Sequence, residues 1–256
     1  YRYHYFTGSS VDGINWSMNG DKITGDLNRY VGYGIINDKV IGHDCRSEIG
    51  YSTDGINFKN SWNSKYVRNF AASIFWNNKA AIISSWQRTA CYSDNGTSWT
   101  EYNTNGETAY RTTSYGCYGN GILITFNNAD NGGNYTSAYT ISNDGKTWTR
   151  KSFPISQLWL GCAFCNGKFI AVGSNSVDSN NTTNLLISTD CINWNVVYSD
   201  TLQQATSGNT LPYVFADENQ KRFVVVYNNK VIQSSDGIVW TQISTPLVNE
   251  IIYAKL

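Results

Sequence analysis

Two kinds of side chain in this sequence could act on a ligand: flat aromatic rings, and forked polar groups that sit among them. Trp62, Trp86 and Trp159, with Tyr66 and Tyr110, offer rings whose faces stack on the C–H surface of a sugar. His43, Asp44, Arg46, Arg68, Arg88 and Arg111 offer hydrogen bonds to hydroxyls and carboxylates, the arginines as planar forks. Catalysis asks for more. Acid–base cleavage of a glycosidic bond needs two positioned carboxylates, and Asp44 with Glu48 is the one close pair in this set. Metal ligation needs paired Cys or His at turn spacing, and His4 and His43 are the only histidines, so neither metal nor cofactor is expected. The set reads as a ligand-binding surface with no catalytic residue. The plainer competing account is that several of the rings pack the interior.

The elements that must position these residues are announced by a repeated motif, Ser-x-Asp-Gly-x-x-aromatic. It runs from Ser10 to Trp16, Ser52 to Phe58, Ser93 to Trp99, Ser142 to Trp148, Ser188 to Trp194 and Ser234 to Trp240. The acidic position is Asp12, Asp54, Asn95, Asp144, Asp190 and Asp236 in turn, and Cys191 replaces the fifth Gly. Asp-Gly is a two-residue hairpin signal, because Gly accepts positive φ and the Asp carboxylate accepts hydrogen bonds from its own turn. The aromatic that follows is expected to pin the returning strand against a neighbouring sheet. These turns stabilise a fold and do no chemistry.

The serines of successive copies are 42, 41, 49, 46 and 46 residues apart. One hairpin signature per forty-odd residues, with short strands between, is what a four-stranded propeller blade requires. The chain is expected to be all-β: a single domain over residues 1–256, a six-bladed β-propeller of four-stranded antiparallel blades. The sixth blade would be closed by strands from both termini, with five blades plus an N-terminal hairpin as the alternative. The innermost strands carry small residues at Gly32, Ala72, Gly116 and Gly161, as expected where strands crowd a central channel.

The repeats resemble the Asp-box turns, or bacterial neuraminidase repeats, of sialidase-like β-propellers, in a form one residue shorter. They are also similar to repeats in receptor-binding propellers of phage tails and bacterial surface proteins. The resemblance implies a recognition module for a surface glycan or glycopolymer at an extracellular or virion surface, with room for a homotrimer held through the rest of a longer parent chain. A sialidase would bring three arginines to the substrate carboxylate, for which Arg46, Arg88 and Arg111 could stand. The Arg-Ile-Pro opening of such enzymes is absent, so glycoside hydrolysis is the lesser alternative, and a protein–protein scaffold a third. Binding is expected on the face away from the motif turns, where the longer loops 127–136, 174–183, 17–29, 103–113 and 200–211 would lie.

Composition narrows the partners. The net charge is zero and only 15% of residues are charged, so nothing steers the chain to nucleic acid or a charged membrane surface. No apolar run is long enough for a spanning helix. Tyr1-Arg2-Tyr3-His4-Tyr5 is neither a signal peptide nor an initiation site, which reads as a processed product or fragment. Six cysteines are too sparse for a disulfide scaffold and are expected to be buried free thiols. Cys162 and Cys165, three apart on one expected strand, would point to opposite faces.

Overall fold

The computed structural model describes residues 8–9, 17–18, 30–44, 48–55, 57–63, 70–84, 88–104, 112–127, 137–174, 180–203, 212–227 and 230–243. Every regular element among them is a β-strand. A hairpin of β1 (Gly8–Ser9) and β2 (Ser17–Met18) comes first. Five four-stranded antiparallel sheets follow, each in simple sequence order. The first sheet is β3 (Tyr30–Ile36), β4 (Lys39–Asp44), β5 (Glu48–Ser52) and β6 (Lys59–Asn63). The second is β7 (Phe70–Trp76), β8 (Lys79–Ser84), β9 (Thr89–Ser93) and β10 (Thr100–Asn103). The third is β11 (Thr112–Gly119), β12 (Ile122–Asn127), β13 (Ala138–Ser142) and β14 (Thr149–Ser152). The fourth is β15 (Leu158–Cys165), β16 (Lys168–Ser174), β17 (Asn180–Ser188) and β18 (Asn195–Gln203). The fifth is β19 (Tyr213–Asp217), β20 (Arg222–Tyr227), β21 (Lys230–Ser234) and β22 (Thr241–Ile243). Residues 244–256, which a sixth blade would need, lie outside the described residues.

The chain divides into two compact units. One comprises residues 1–109 with the turn tip Gly145–Thr147, the other 110–144 with 148–256. In the first unit β3 lies against β7, and in the second β11 lies against β15 and β15 against β19. The first strand of each sheet is therefore its inner edge. Between successive sheets run apolar layers: Ile36, Ile41, Ile49, Phe70, Ile82 and Trp99 in the first unit. In the second unit one layer holds Ile124, Phe126, Tyr139, Phe153, Trp159 and Phe169, and another Ile170, Val172, Leu185, Phe223, Val225 and Tyr227. Burying one such side chain is worth about 1.5–3 kcal/mol.

Two local devices shape the inner edge. In the first four sheets the tips joining first and second strands are tight turns with both central residues at positive φ: Asn37 and Asp38, Asn77 and Asn78, Asn120 and Gly121, Asn166 and Gly167. That is the hairpin twist which matches flanking strands, and Asn and Gly tolerate it best. The Asn side chains also reach the next sheet. Asn120 Nδ2 donates to the Gly167 carbonyl at 3.2 Å, and Asn166 Nδ2 donates to those of Lys221 and Ser235 at 2.7 and 3.0 Å. Asn78 Oδ1 accepts from the Asn37 amide at 3.2 Å.

The second device is a β-bulge. The register slips between Tyr30 and Gly32, Phe70 and Ala72, and Trp159 and Gly161, so one extra residue sits at the same place in three inner strands. Three of the small residues expected to mark crowding, Gly32, Ala72 and Gly161, come directly after it. At Gly161 crowding contributes as well: an added Cβ would lie 3.2 Å from Val214 Cγ1 of the next inner strand.

The motif turns correct the two-residue hairpin expected of them. The Ser is the last residue of the third strand, and the fourth strand begins immediately after the aromatic, at Lys59, Thr100, Thr149, Asn195 and Thr241. Six residues thus form the connection. Positive φ is confined to the Gly position, at Gly55, Gly96, Gly145, Cys191 and Gly237, and the acidic residue stays in ordinary backbone conformation. Asp12 lies outside the described residues.

Candidate functional site

The motif turns use up their own polar groups. In the fourth sheet Ser188 Oγ donates to Asp190 Oδ1 at 2.9 Å, and the same oxygen accepts the amides of Ile192 and Asn193 at 2.8 Å each. Asn193 Nδ2 donates to Asp190 Oδ2 at 2.8 Å. Asp54 repeats this pattern with Ser52 and Asn57, and Asp236 with Ser234, Ile238 and Val239. Asp144 takes the Ser142 hydroxyl at 3.0 Å. Asn95 substitutes without loss, since its Oδ1 accepts the amides of Thr97 and Ser98 at 2.9 and 2.8 Å. The amides of Asn193 and Ile192 hold the Asp190 carboxyl far below the usual carboxylate range, and those of Ile238 and Val239 bring Asp236 down to about 2. A permanently ionised acceptor wrapped in its own backbone is a structural brace.

In the fourth sheet the aromatic closes the brace against the preceding sheet. Trp194 Nε1 donates to Tyr139 Oη at 3.1 Å, and Tyr139 Oη donates to the Cys191 carbonyl at 2.7 Å. Phe58, Trp99, Trp148 and Trp194 are all buried. Trp240 remains partly exposed, its ring 6.4 Å from that of Tyr198.

The residues expected to bind a ligand separate into three groups. Arg46, Tyr66, Arg68, Trp86, Tyr110 and Arg111 lie outside the described residues, and Asp44 is described only as the last backbone position of β4. Two others are interior residues, which corrects their reading as surface contacts. His43 is fully buried on β4, its ring edge-on to Phe70 at 5.7 Å. Trp159 is fully buried, stacked 4.0 Å from Phe153 and 6.4 Å from Phe126. Trp159 sits just ahead of the bulge in β15, in the layer between sheets, so its nearness to a strand end gave no exposure. The third group keeps a surface. Trp62 is partly exposed on the outermost strand β6, 6.3 Å from the Phe70 ring. Arg88 is exposed, at φ 53°, and its carbonyl accepts the Thr104 amide at 2.7 Å.

The second unit contains a polar cluster that was not anticipated, at the end of the sheets away from the motif turns. Tyr227 closes β20 and Lys230 opens β21, while Tyr198 and Asp200 come from the middle of β18. Tyr198 Oη and Tyr227 Oη are 2.6 Å apart, Tyr227 Oη donates to Asp200 Oδ2 at 3.0 Å, and Lys230 Nζ donates to the same oxygen at 2.9 Å. Tyr227 is wholly buried, and burial with its Tyr198 and Asp200 neighbours pushes its hydroxyl far above the usual phenol range. Lys230, then Tyr227, hold the Asp200 carboxyl below its ordinary value. Asp200 is therefore held as a carboxylate beside Lys230, and Tyr227 behind it keeps its phenol proton. Both bonds to Asp200 fall on Oδ2, so Oδ1 has no partner among the described residues. With the side chains of Lys230 and Asp200 35% and 22% exposed, the cluster presents a donor and an acceptor side by side at the surface. Such a pair matches the hydroxyls of a carbohydrate.

On the opposite face of the fourth sheet, Gln157 and Asn184 form a buried amide pair at 2.8 Å. Gly173 makes room for them, since a Cβ there would fall 2.2 Å from Gln157 Nε2. Among the described residues no group of His, Cys, Asp and Glu could hold a metal ion.

No protein-family model and no curated protein sequence matches the chain. Solved structures do. A catalytically inactive virginiamycin B lyase from Staphylococcus aureus, crystallised with quinupristin, aligns with a TM-score of 0.64 at 10% identity, over 89% of this chain and 73% of that one. YCF48 from Cyanidioschyzon merolae aligns at 0.58 and 14% identity, over 90% and 75%. The WD40 domain of Pan2 from Neurospora crassa aligns at 0.53 and 10% identity, over 80% and 61%. With five four-stranded antiparallel sheets in sequence order, these likenesses establish the fold as that of a β-propeller.

Proposed function

We propose that this propeller is a non-catalytic recognition module that binds a surface glycan or glycopolymer through the face away from its motif turns. The turns are read as a short form of the Asp box, and the setting as an extracellular or virion surface, such as the receptor-binding apparatus of a phage tail. Propellers host many activities, so the argument rests on the site and not on the fold. The observation that carries it is the cluster of Tyr198, Asp200, Tyr227 and Lys230, a surface-reaching donor and acceptor pair backed by phenols. The Asp200 carboxylate, held low beside Lys230, suits accepting the hydroxyls of a sugar. In the first unit, independently of the cluster, Trp62 offers a partly exposed ring of the kind that stacks on sugars.

A glycan array tests this with the unmodified chain and three variants. Binding is expected for the unmodified chain, at least tenfold weaker for Asp200→Ala and Lys230→Ala, and unchanged for Asp236→Asn in a motif turn. Turnover of a fluorogenic sialoside would replace this reading with the enzymatic one.

A second reading has an observation of its own. Ile192, Ile238 and Val239, at the tips of motif turns, are 56%, 54% and 65% exposed. Apolar side chains held out on rigid turns suit a protein partner, and the chain would then be a docking scaffold. Capture of a protein through these tips, lost in Ile192→Ser and Ile238→Ser, would favour it.

A further inference from the structure

Apart from Cys191 in its motif turn, the cysteines are accounted for by neither the turns nor the polar cluster. Cys91, Cys117, Cys162, Cys165 and Cys191 are all free thiols, and the second unit holds four of them. Cys162 and Cys165 face opposite ways on β15, as their spacing requires: Cys162 packs against the layer that holds Ile124 and Phe126, and Cys165 belongs to the layer that holds Phe223 and Val225. The partner of Cys162 comes from elsewhere. Cys117, on the neighbouring inner strand β11, places its Sγ 2.9 Å from Cys162 Sγ. That is within about an ångström of the bonding distance of two sulfurs. Both residues are only partly buried, whereas Cys191, which packs in the same layer, is wholly buried.

We infer that Cys117 and Cys162 are a redox-modifiable pair whose oxidation forms a disulfide joining the inner strands of the third and fourth sheets. The oxidant is a small organic disulfide such as oxidised glutathione. One thiolate of the pair attacks it, forming a mixed disulfide and releasing one glutathione thiol. The second protein thiolate then attacks the protein sulfur of that intermediate, forming the Cys117–Cys162 bond and releasing the second glutathione thiol. The two protons lost by the protein are taken up by the released thiolates. Burial pushes the Cys162 thiol up, and because a thiolate is the attacking group the reaction runs faster as the pH rises. The bond would close a loop between residues that are 45 apart, constraining the unfolded chain while linking strands already in contact.

The test is made on the whole chain. After incubation with oxidised glutathione at pH 8.5 and removal of the excess, thiols are counted in denaturant and the cross-linked peptides are mapped by mass spectrometry. The expected result is a fall from six titratable thiols to four, with one bond mapped to Cys117 and Cys162. Thermal unfolding should rise by on the order of 10 °C and return with dithiothreitol. Cys165→Ser should retain the bond and the thermal shift, its thiols falling from five to three, and Cys117→Ser should lose both. The mapping uses the unmodified chain, so it stands even where a variant folds poorly. Six thiols still titratable, or a bond mapped to Cys165, Cys191 or a second molecule instead, would overturn the inference.

Discussion

At the scale of single residues, the motif positions separate strain from packing. Gly55 and Gly96 hold the same turn position with nearly the same φ, 75° and 73°. Around Gly55 an added methyl meets nothing within 4 Å, while at Gly96 it would fall 2.5 Å from Ile41 Cδ1. Gly55→Ala should therefore cost about 1 kcal/mol for the backbone alone. Gly96→Ala adds an overpacking cost of about 1–3 kcal/mol. Chemical denaturation of the two variants checks the difference, and equal losses would contradict it.

Cys191 is the one motif turn with a side chain at this position, at φ 53°, and its thiol fills the layer beside Tyr139. Burial raises that thiol well above the usual range, so alkylating reagents should spare it in the folded protein.

The carboxylates of the turns set a pH dependence whose sign is fixed. Asp190 and Asp236 have depressed values when folded. Their contribution is present above the unfolded carboxylate value near 3.9 and is lost as pH falls toward the folded value, about 2 for Asp236. Acid titration of stability should therefore steepen between about pH 4 and pH 2. Asp236→Asn should flatten part of that limb while keeping the turn closed, as Asn95 already does in the second sheet. An unchanged acid limb in that variant would mean that the carboxylate is not the group titrating.

At the scale of elements, the repeat tells most of the story. The spacing of the serines, the Asn-rich tips and the alternating apolar strands were enough to place nearly every strand, because each is a local consequence of turn chemistry and a period of two. What local reading missed was the length of the motif connection. The carboxylate grips the amides two and three residues on, so the chain cannot rejoin the ladder until the aromatic is past. The bulges were missed too, since an extra residue in β3, β7 or β15 leaves only a small neighbour as its trace. The site was the least legible part. Asp200 and Lys230 are 30 residues apart and meet only because the fourth and fifth sheets pack together. His43 and Trp159 looked like surface residues by type alone, and burial is a property of the packed sheets.

The tips argue for a further experiment at this scale. Asn166 combines φ 51° with two bonds to the next sheet. Asn166→Gly keeps the conformation and loses the bonds, costing about 1–2 kcal/mol, whereas Asn166→Ala also pays for the backbone and should cost roughly 1 kcal/mol more. Thermal denaturation of both variants orders them, and equal stabilities would deny the strain its part.

At the scale of the whole molecule, a division of labour runs along every sheet. One end of each sheet is braced by a Ser and an Asp or Asn bound to their own backbone, followed by an aromatic. The other end is where β18, β20 and β21 bring an ammonium, a carboxylate and phenols to the surface without a structural turn to consume them. Hydrogen–deuterium exchange with and without a glycan identified on the array tests that division directly. Slowed exchange is expected in residues 198–203 and 222–231, with none in the motif turns 188–194 and 234–240. Protection confined to the motif turns would contradict it.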